Sequence, residues 1–121
     1  MLYAILCYHD EDVVGSWTKQ EDDAVLAKRA VVKQQLSAEG RLGPVARLMP
    51  TTAATTVRFG RDPMIIDGPF AETKEQLLGI YVVDCASLEE AIDAARRLGR
   101  DETGAFEIRP IRAFERGSGL K

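Results

Sequence analysis

Apolar and polar positions alternate along the chain in blocks that predict a mixed fold. Met1 to Tyr8 is a continuous apolar run that ends at the polar stretch His9-Asp10-Glu11-Asp12, the pattern of a strand covered on both faces. Thr18 to Glu39 predicts a long helix. Val25, Val32 and Leu36 fall at helical spacing, Thr18 and Glu21 match a capping box, and Gly40 supplies a residue able to end the helix. Arg41 to Met49 predicts a second strand, stopped by Pro50. Thr55–Gly60 and Pro63–Asp67 predict two arms of a hairpin around Gly60-Arg61-Asp62, with Thr56 and Arg58 on one face and Val57 and Phe59 on the other. Asp67-Gly68-Pro69-Phe70 is a turn by composition. Leu77 to Asp84 is another unbroken apolar run, hence a buried strand.

Ser87 and Glu90 match a second capping box, followed by a stripe of Leu88, Ala91, Ile92, Ala95 and Leu98 that predicts a helix ended by Gly99. Asp93 and Arg97 are spaced for an i,i+4 pair. Ala105 to Phe114 alternates Phe106 and Ile108 with Glu107 and Arg109, a last strand with one wetter face.

Strand, helix, strand, hairpin, strand, helix, strand is the split βαβ order of an α+β, ferredoxin-like βαββαβ domain with a β-hairpin insertion. Helices cover one face of such a sheet. The first and third long strands are apolar on both faces, and the chain has no third layer to cover the other. A second copy of the sheet is the simplest cover, so a homodimer is expected. Residues 1–114 then form the domain and 115–121 a flexible C-terminal tail.

Composition narrows the partners. The 121 residues suit one domain, and 45% hydrophobic residues suit a globular one. A net charge of −3 without a basic stripe argues against nucleic acid. The opening apolar run is too short to span a membrane and lacks the basic start and cleavage site of a signal peptide, so a cytoplasmic location is expected. Cys7 and Cys85 form no zinc or redox spacing and read as reduced, buried small hydrophobes. Phosphate-cradling glycine loops and a GxSxG elbow are absent. No cofactor and no metal are implied.

The stretch Ile66-Asp-Gly-Pro-Phe-Ala-Glu-Thr-Lys-Glu-Gln-Leu77 resembles the motif of the DGPF group of YCII-related proteins. The likeness extends to the opening strand, Glu39-Gly40, Gly79-Ile-Tyr-Val82, Leu88-Glu-Glu-Ala91 and Glu107-Ile-Arg-Pro110, and so spans most of the chain. It implies a dimeric α/β barrel, in agreement with the dimer expected from the strands. Some relatives are dehalogenase-like or lactone-processing enzymes by similarity, and genes of the group often neighbour sigma factors of the extracytoplasmic type. Many relatives carry a histidine eleven residues before the glycine matching Gly40; here that residue is Arg29. Arginine stays charged, so such a site binds and polarises but shuttles protons poorly.

Asp67 is the candidate general base, with a backbone-capping role as its bland alternative. Arg29, His9, Tyr81, Lys74 and Arg109 are the candidate ligand-binding residues. Lys74, in the charged cluster with Glu72 and Glu75, is available to pair with Asp67 or a ligand carboxylate. His9 reads first as a hydrogen-bonded strand-end histidine, and Tyr8, Tyr81 and Trp17 as core or rim aromatics.

Two functions fit these residues. One is a pocket protein that binds a small organic molecule, anionic where it meets Arg29, with acid/base-assisted chemistry open to it. The other is a non-catalytic regulatory or protein-binding module of a sigma-factor system, with the Thr55–Asp67 hairpin facing the partner.

Overall fold

In the computed structural model, which describes residues 1–120, the apolar runs become strands and the 3.6-residue patterns become helices. The elements are β1 (Leu2–His9), α1 (Glu11–Gly15), α2 (Lys19–Ala38), β2 (Leu42–Arg47), a 3-10 turn (Thr51–Ala53), β3 (Thr55–Arg58), β4 (Met64–Asp67), β5 (Gln76–Asp84), α3 (Leu88–Leu98) and β6 (Ala105–Pro110). Four strands form one sheet in the order β2-β5-β1-β6, and β3 and β4 form a separate two-stranded ribbon. Every neighbouring pair is antiparallel. This α+β arrangement is compatible with a ferredoxin-like fold carrying the expected hairpin.

Local chemistry explains the helix ends. The Glu21 amide donates to Thr18 Oγ1 at 3.1 Å and the Thr18 amide to Glu21 Oε1 at 3.2 Å, a complete capping box. At the other end Gly40 takes φ +72°, and the amides of Gly40 and Arg41 donate to the Ser37 and Leu36 carbonyls at 3.0 and 2.9 Å. These bonds satisfy two carbonyls that the helix leaves open. The second box is one-sided. Ser87 Oγ accepts from the Glu90 amide at 3.3 Å, but the Glu90 carboxylate takes the Ala86 amide at 2.7 Å and faces Arg41 at 3.4 Å.

Other boundaries differ from expectation for similar local reasons. The polar stretch after β1 is helical, because Asp10 caps the Asp12 amide at 2.9 Å and starts α1. Strand β2 spans Leu42–Arg47 rather than Arg41–Met49, and β6 ends at Pro110 rather than Phe114. The Ile111 amide still reaches the Leu2 carbonyl at 2.9 Å, but beyond it β1 has no residue left to pair.

The core lies between the sheet and the two longer helices. Tyr3, Ile5 and Cys7 of β1 and Tyr81 and Val83 of β5 pack with Leu36 of α2 and with Ala91, Ala94, Ala95 and Leu98 of α3. The alternate residues of β1, Leu2, Ala4, Leu6 and Tyr8, are only half-buried. The run expected to be covered on both faces is therefore sealed on its helix side and partly open on the other.

Candidate functional site

Arg29 stands in the inward stripe of α2, four residues after Val25 and three before Val32, a spacing that turns it toward the sheet. Its guanidinium meets Glu102 through two bonds. Nε donates to Oε2 at 3.0 Å and Nη2 donates to Oε1. The side chains retain 18% and 7% of their exposure, so this ion pair is largely removed from water. Nη1 makes a long contact of 3.5 Å to the Tyr81 hydroxyl oxygen. The Phe106 ring lies 5.6 Å from the guanidinium carbon, a cation–π distance. Burial alone would weaken the hold of Arg29 on its proton. The hydrogen bonds and charge of Glu102 more than reverse that, so its pKa is raised.

The loop between α3 and β6 delivers this arrangement. Asp101 meets Lys28 at 3.3 Å, Glu102 meets Arg29, and Thr103 Oγ1 lies 2.7 Å from His9 Nε2. Gly104 makes the close approach possible. It takes φ +97°, and a Cβ there would lie 2.6 Å from the Tyr8 carbonyl oxygen and 2.8 Å from His9 Cδ2. The His9 ring also meets Trp17 edge to face at 5.9 Å and 82°. His9 Nδ1 is buried and has no hydrogen-bond partner among the described residues.

Between α1, α2 and the sheet these side chains line a cavity of about 100 Å³, room for a small organic molecule or several waters. Val14, Trp17, Val25, Leu26, Val45 and Phe106 make its walls apolar; Arg29, Tyr81, His9, Thr103, Cys7 and Lys33 supply polar groups, and Arg47, paired with Asp22, lies at its edge. Burial pushes the Cys7 thiol up to about 11 and also raises the Tyr81 phenol, which Arg29 only partly offsets. Both groups are therefore protonated at neutral pH and can donate. Apolar walls with a few convergent polar groups are the usual make-up of a small-molecule site.

Of the candidate residues, Arg29, Tyr81 and His9 come together here. Asp67, Lys74 and Arg109 do not. Asp67 and Lys74 are exposed and make no ion pair or side-chain hydrogen bond among the described residues, while Arg109 is exposed and lies 3.9 Å from Glu107. The capping role considered for Asp67 is taken by others. The Gly68 amide donates to the Ala54 carbonyl at 2.7 Å, and Thr56 Oγ1 donates to the Gly68 carbonyl at 2.8 Å. Further along the same stretch, Gln76 Oε1 accepts the Glu11 amide at 2.9 Å and Gln76 Nε2 donates to the Thr73 carbonyl at 2.6 Å. The Glu11 carboxylate in turn binds Thr51 through its amide at 2.9 Å and through its hydroxyl. Within the Ile66–Leu77 stretch, Gly68 thus closes the ribbon and Gln76 ties the start of β5 to α1.

Glu102 and Thr103 were invisible to periodicity, because they lie in an irregular loop far along the chain from their partners. Arg29 did leave a signal, since a charged residue within the stripe of Val25, Val32 and Leu36 needs a partner. Among the described residues, no three His, Cys, Asp or Glu side chains converge to hold a metal. No described helix is long and apolar enough to cross a membrane.

Comparison with known sequences places the chain in a family. The model of the YCII-related domain matches residues 1–115. The chain is also 52% identical over 120 residues to an uncharacterised protein of Rhizobium meliloti (strain 1021), with 97% of each chain covered.

Proposed function

The chain belongs to the YCII-related family, and from its cavity under α2 we propose that it binds a small organic molecule against Arg29 and Tyr81. One observation carries this reading: a buried guanidinium and a buried phenol meet inside a cavity whose walls are otherwise mostly apolar. Tyr81 and the remaining guanidinium N–H groups donate to the ligand, and the aromatic rings of Trp17 and Phe106 flank it. Acid/base assistance in this cavity falls to His9, whose imidazole carries both a donor and an acceptor nitrogen, with Thr103 orienting its ring. Asp67 enters the site only if a second copy of the chain brings it there.

That second copy belongs to the proposal. The half-buried residues Leu2, Ala4, Leu6 and Tyr8 are the surface on which two sheets would pack face to face as a homodimer and form the dimeric barrel.

A thermal-shift screen of small carboxylates, lactones and phenols tests the reading. A ligand at about 100 times its Kd adds roughly 2.7 kcal/mol. A hit lost in Tyr81→Phe and kept in Asp67→Asn supports the cavity. A hit lost only in Asp67→Asn moves the site to the hairpin turn, and no hit in any class sinks it.

The hairpin favours a second role. Phe59 and Ile65 are 88% and 77% exposed, an apolar presentation suited to a protein partner. The resemblance of the Ile66–Leu77 stretch makes a regulatory protein of a sigma-factor system the partner to try. Capture of that protein that survives replacing both residues by serine counts against this role.

A further inference from the structure

Glu102 changes which ligand the cavity accepts. A lone buried arginine calls for an anion. Here both oxygens of the Glu102 carboxylate already lie on Nε and Nη2 of Arg29, and the pair is nearly removed from water. A ligand carboxylate at this position would have to displace Glu102 or bring a second negative charge beside it in a low-dielectric site. What the floor still offers is a donor without a counter-charge. The Tyr81 oxygen accepts from Arg29 Nη1, and the Tyr81 hydrogen has no acceptor among the described residues. The complementary group is an uncharged acceptor such as an amide, ketone or lactone carbonyl oxygen, on a body small and apolar enough for about 100 Å³.

We infer that the cavity selects uncharged carbonyl compounds over carboxylates, and that Glu102 sets this preference by occupying Arg29. The inference rests on the cavity being the ligand site. Lys33 also lines the cavity and makes no ion pair among the described residues. Lys33→Gln, which removes this charge and leaves the Arg29–Glu102 pair in place, is expected to keep the preference for the uncharged compound.

Benzamide and benzoate, nearly equal in shape and different in charge, are the probes. Both are titrated into isotope-labelled full-length protein at neutral pH, with backbone amide signals followed by NMR. Benzamide is expected to move signals around Tyr81 and Arg29 and to bind about tenfold or more tighter than benzoate. Glu102→Gln, which frees the guanidinium from its counter-charge, is expected to raise benzoate affinity by about tenfold or more. Tyr81→Phe is expected to weaken benzamide about tenfold with the ion pair intact, and it decides the matter if Glu102→Gln does not fold. A wild-type preference for benzoate overturns the inference, and so does a preference for benzamide that a folded Glu102→Gln leaves unchanged. Benzamide binding that Tyr81→Phe leaves unmoved also overturns it. Equal binding of both probes leaves the cavity as the site and removes the selectivity. Pocket signals that neither probe moves, in wild type or variants, remove the cavity reading and this inference together.

Discussion

Stripped of Glu102, the Arg29 guanidinium would keep its burial and lose two carboxylate contacts. Removing one partner of a buried pair leaves an uncompensated charge, so Glu102→Ala is expected to cost about 3 kcal/mol or more in urea denaturation. The exposed pair Lys19–Asp23, at 2.8 Å, is the internal control, and Asp23→Ala should cost no more than about 0.5 kcal/mol. Cys7 makes a separate prediction. Its thiol ordinarily ionises near 9 and burial raises it to about 11. Below pH 9 the folded and unfolded chains both hold this proton. Between 9 and about 11 the unfolded chain releases it while the folded chain keeps it, so stability falls as pH rises through that window. Cys7→Ala should flatten the fall in urea midpoint between pH 8.5 and 11. Tyr81 and Cys85, also raised by burial, will keep part of the slope.

Among the elements, helix α2 shows how local rules and packing share the work. Only Leu36 is fully buried along its length, so its ends matter. Thr18→Ala removes one side of a complete capping box and should cost about 1 kcal/mol, measured by chemical denaturation. Ser87→Ala loses a single bond of 3.3 Å and should cost less. The loop before β6 is held by backbone shape instead. Gly104→Ala forces a side chain into left-handed backbone against the Tyr8 carbonyl, with about 1–3 kcal/mol from strain alone. It should also disturb the His9–Thr103 contact, visible as a shift of the His9 ring signals in NMR. Both capping boxes were legible as Thr-x-x-Glu and Ser-x-x-Glu patterns. The second formed only half, because the Ala86 amide, four residues back, and Arg41 compete for Glu90, and only the Arg41 contact is tertiary.

At the scale of the whole molecule, the open side of the sheet and the exposed hairpin are what a single chain leaves uncovered. If two sheets pack through the Leu2–Tyr8 face, Leu6→Lys should shift the sedimentation coefficient from dimer to monomer with helical content unchanged, since a charge on a buried face without a partner is costly. Sedimentation that the variant leaves unchanged would place any self-association elsewhere.

The alternation of apolar and polar residues determined the order of the strands and the two longer helices, the hairpin and the stop at Gly40. Each depends on side-chain period or on backbone freedom within a few neighbouring positions. The family could be recognised in the same way, from contiguous motifs. The cavity could not. It exists because the sheet order β2-β5-β1-β6 sets β1 beside β6 and so brings the loop carrying Glu102 and Thr103 onto His9 and Arg29. Asp67 was the clearest candidate in the sequence because it sits in the most distinctive motif. Within one chain, folding leaves it on the outside of a ribbon whose turn is closed by Ala54 and Thr56. Distances along the chain set the elements, and distances across the sheet decided which charges meet, because an ion pair depends on separation and burial in space.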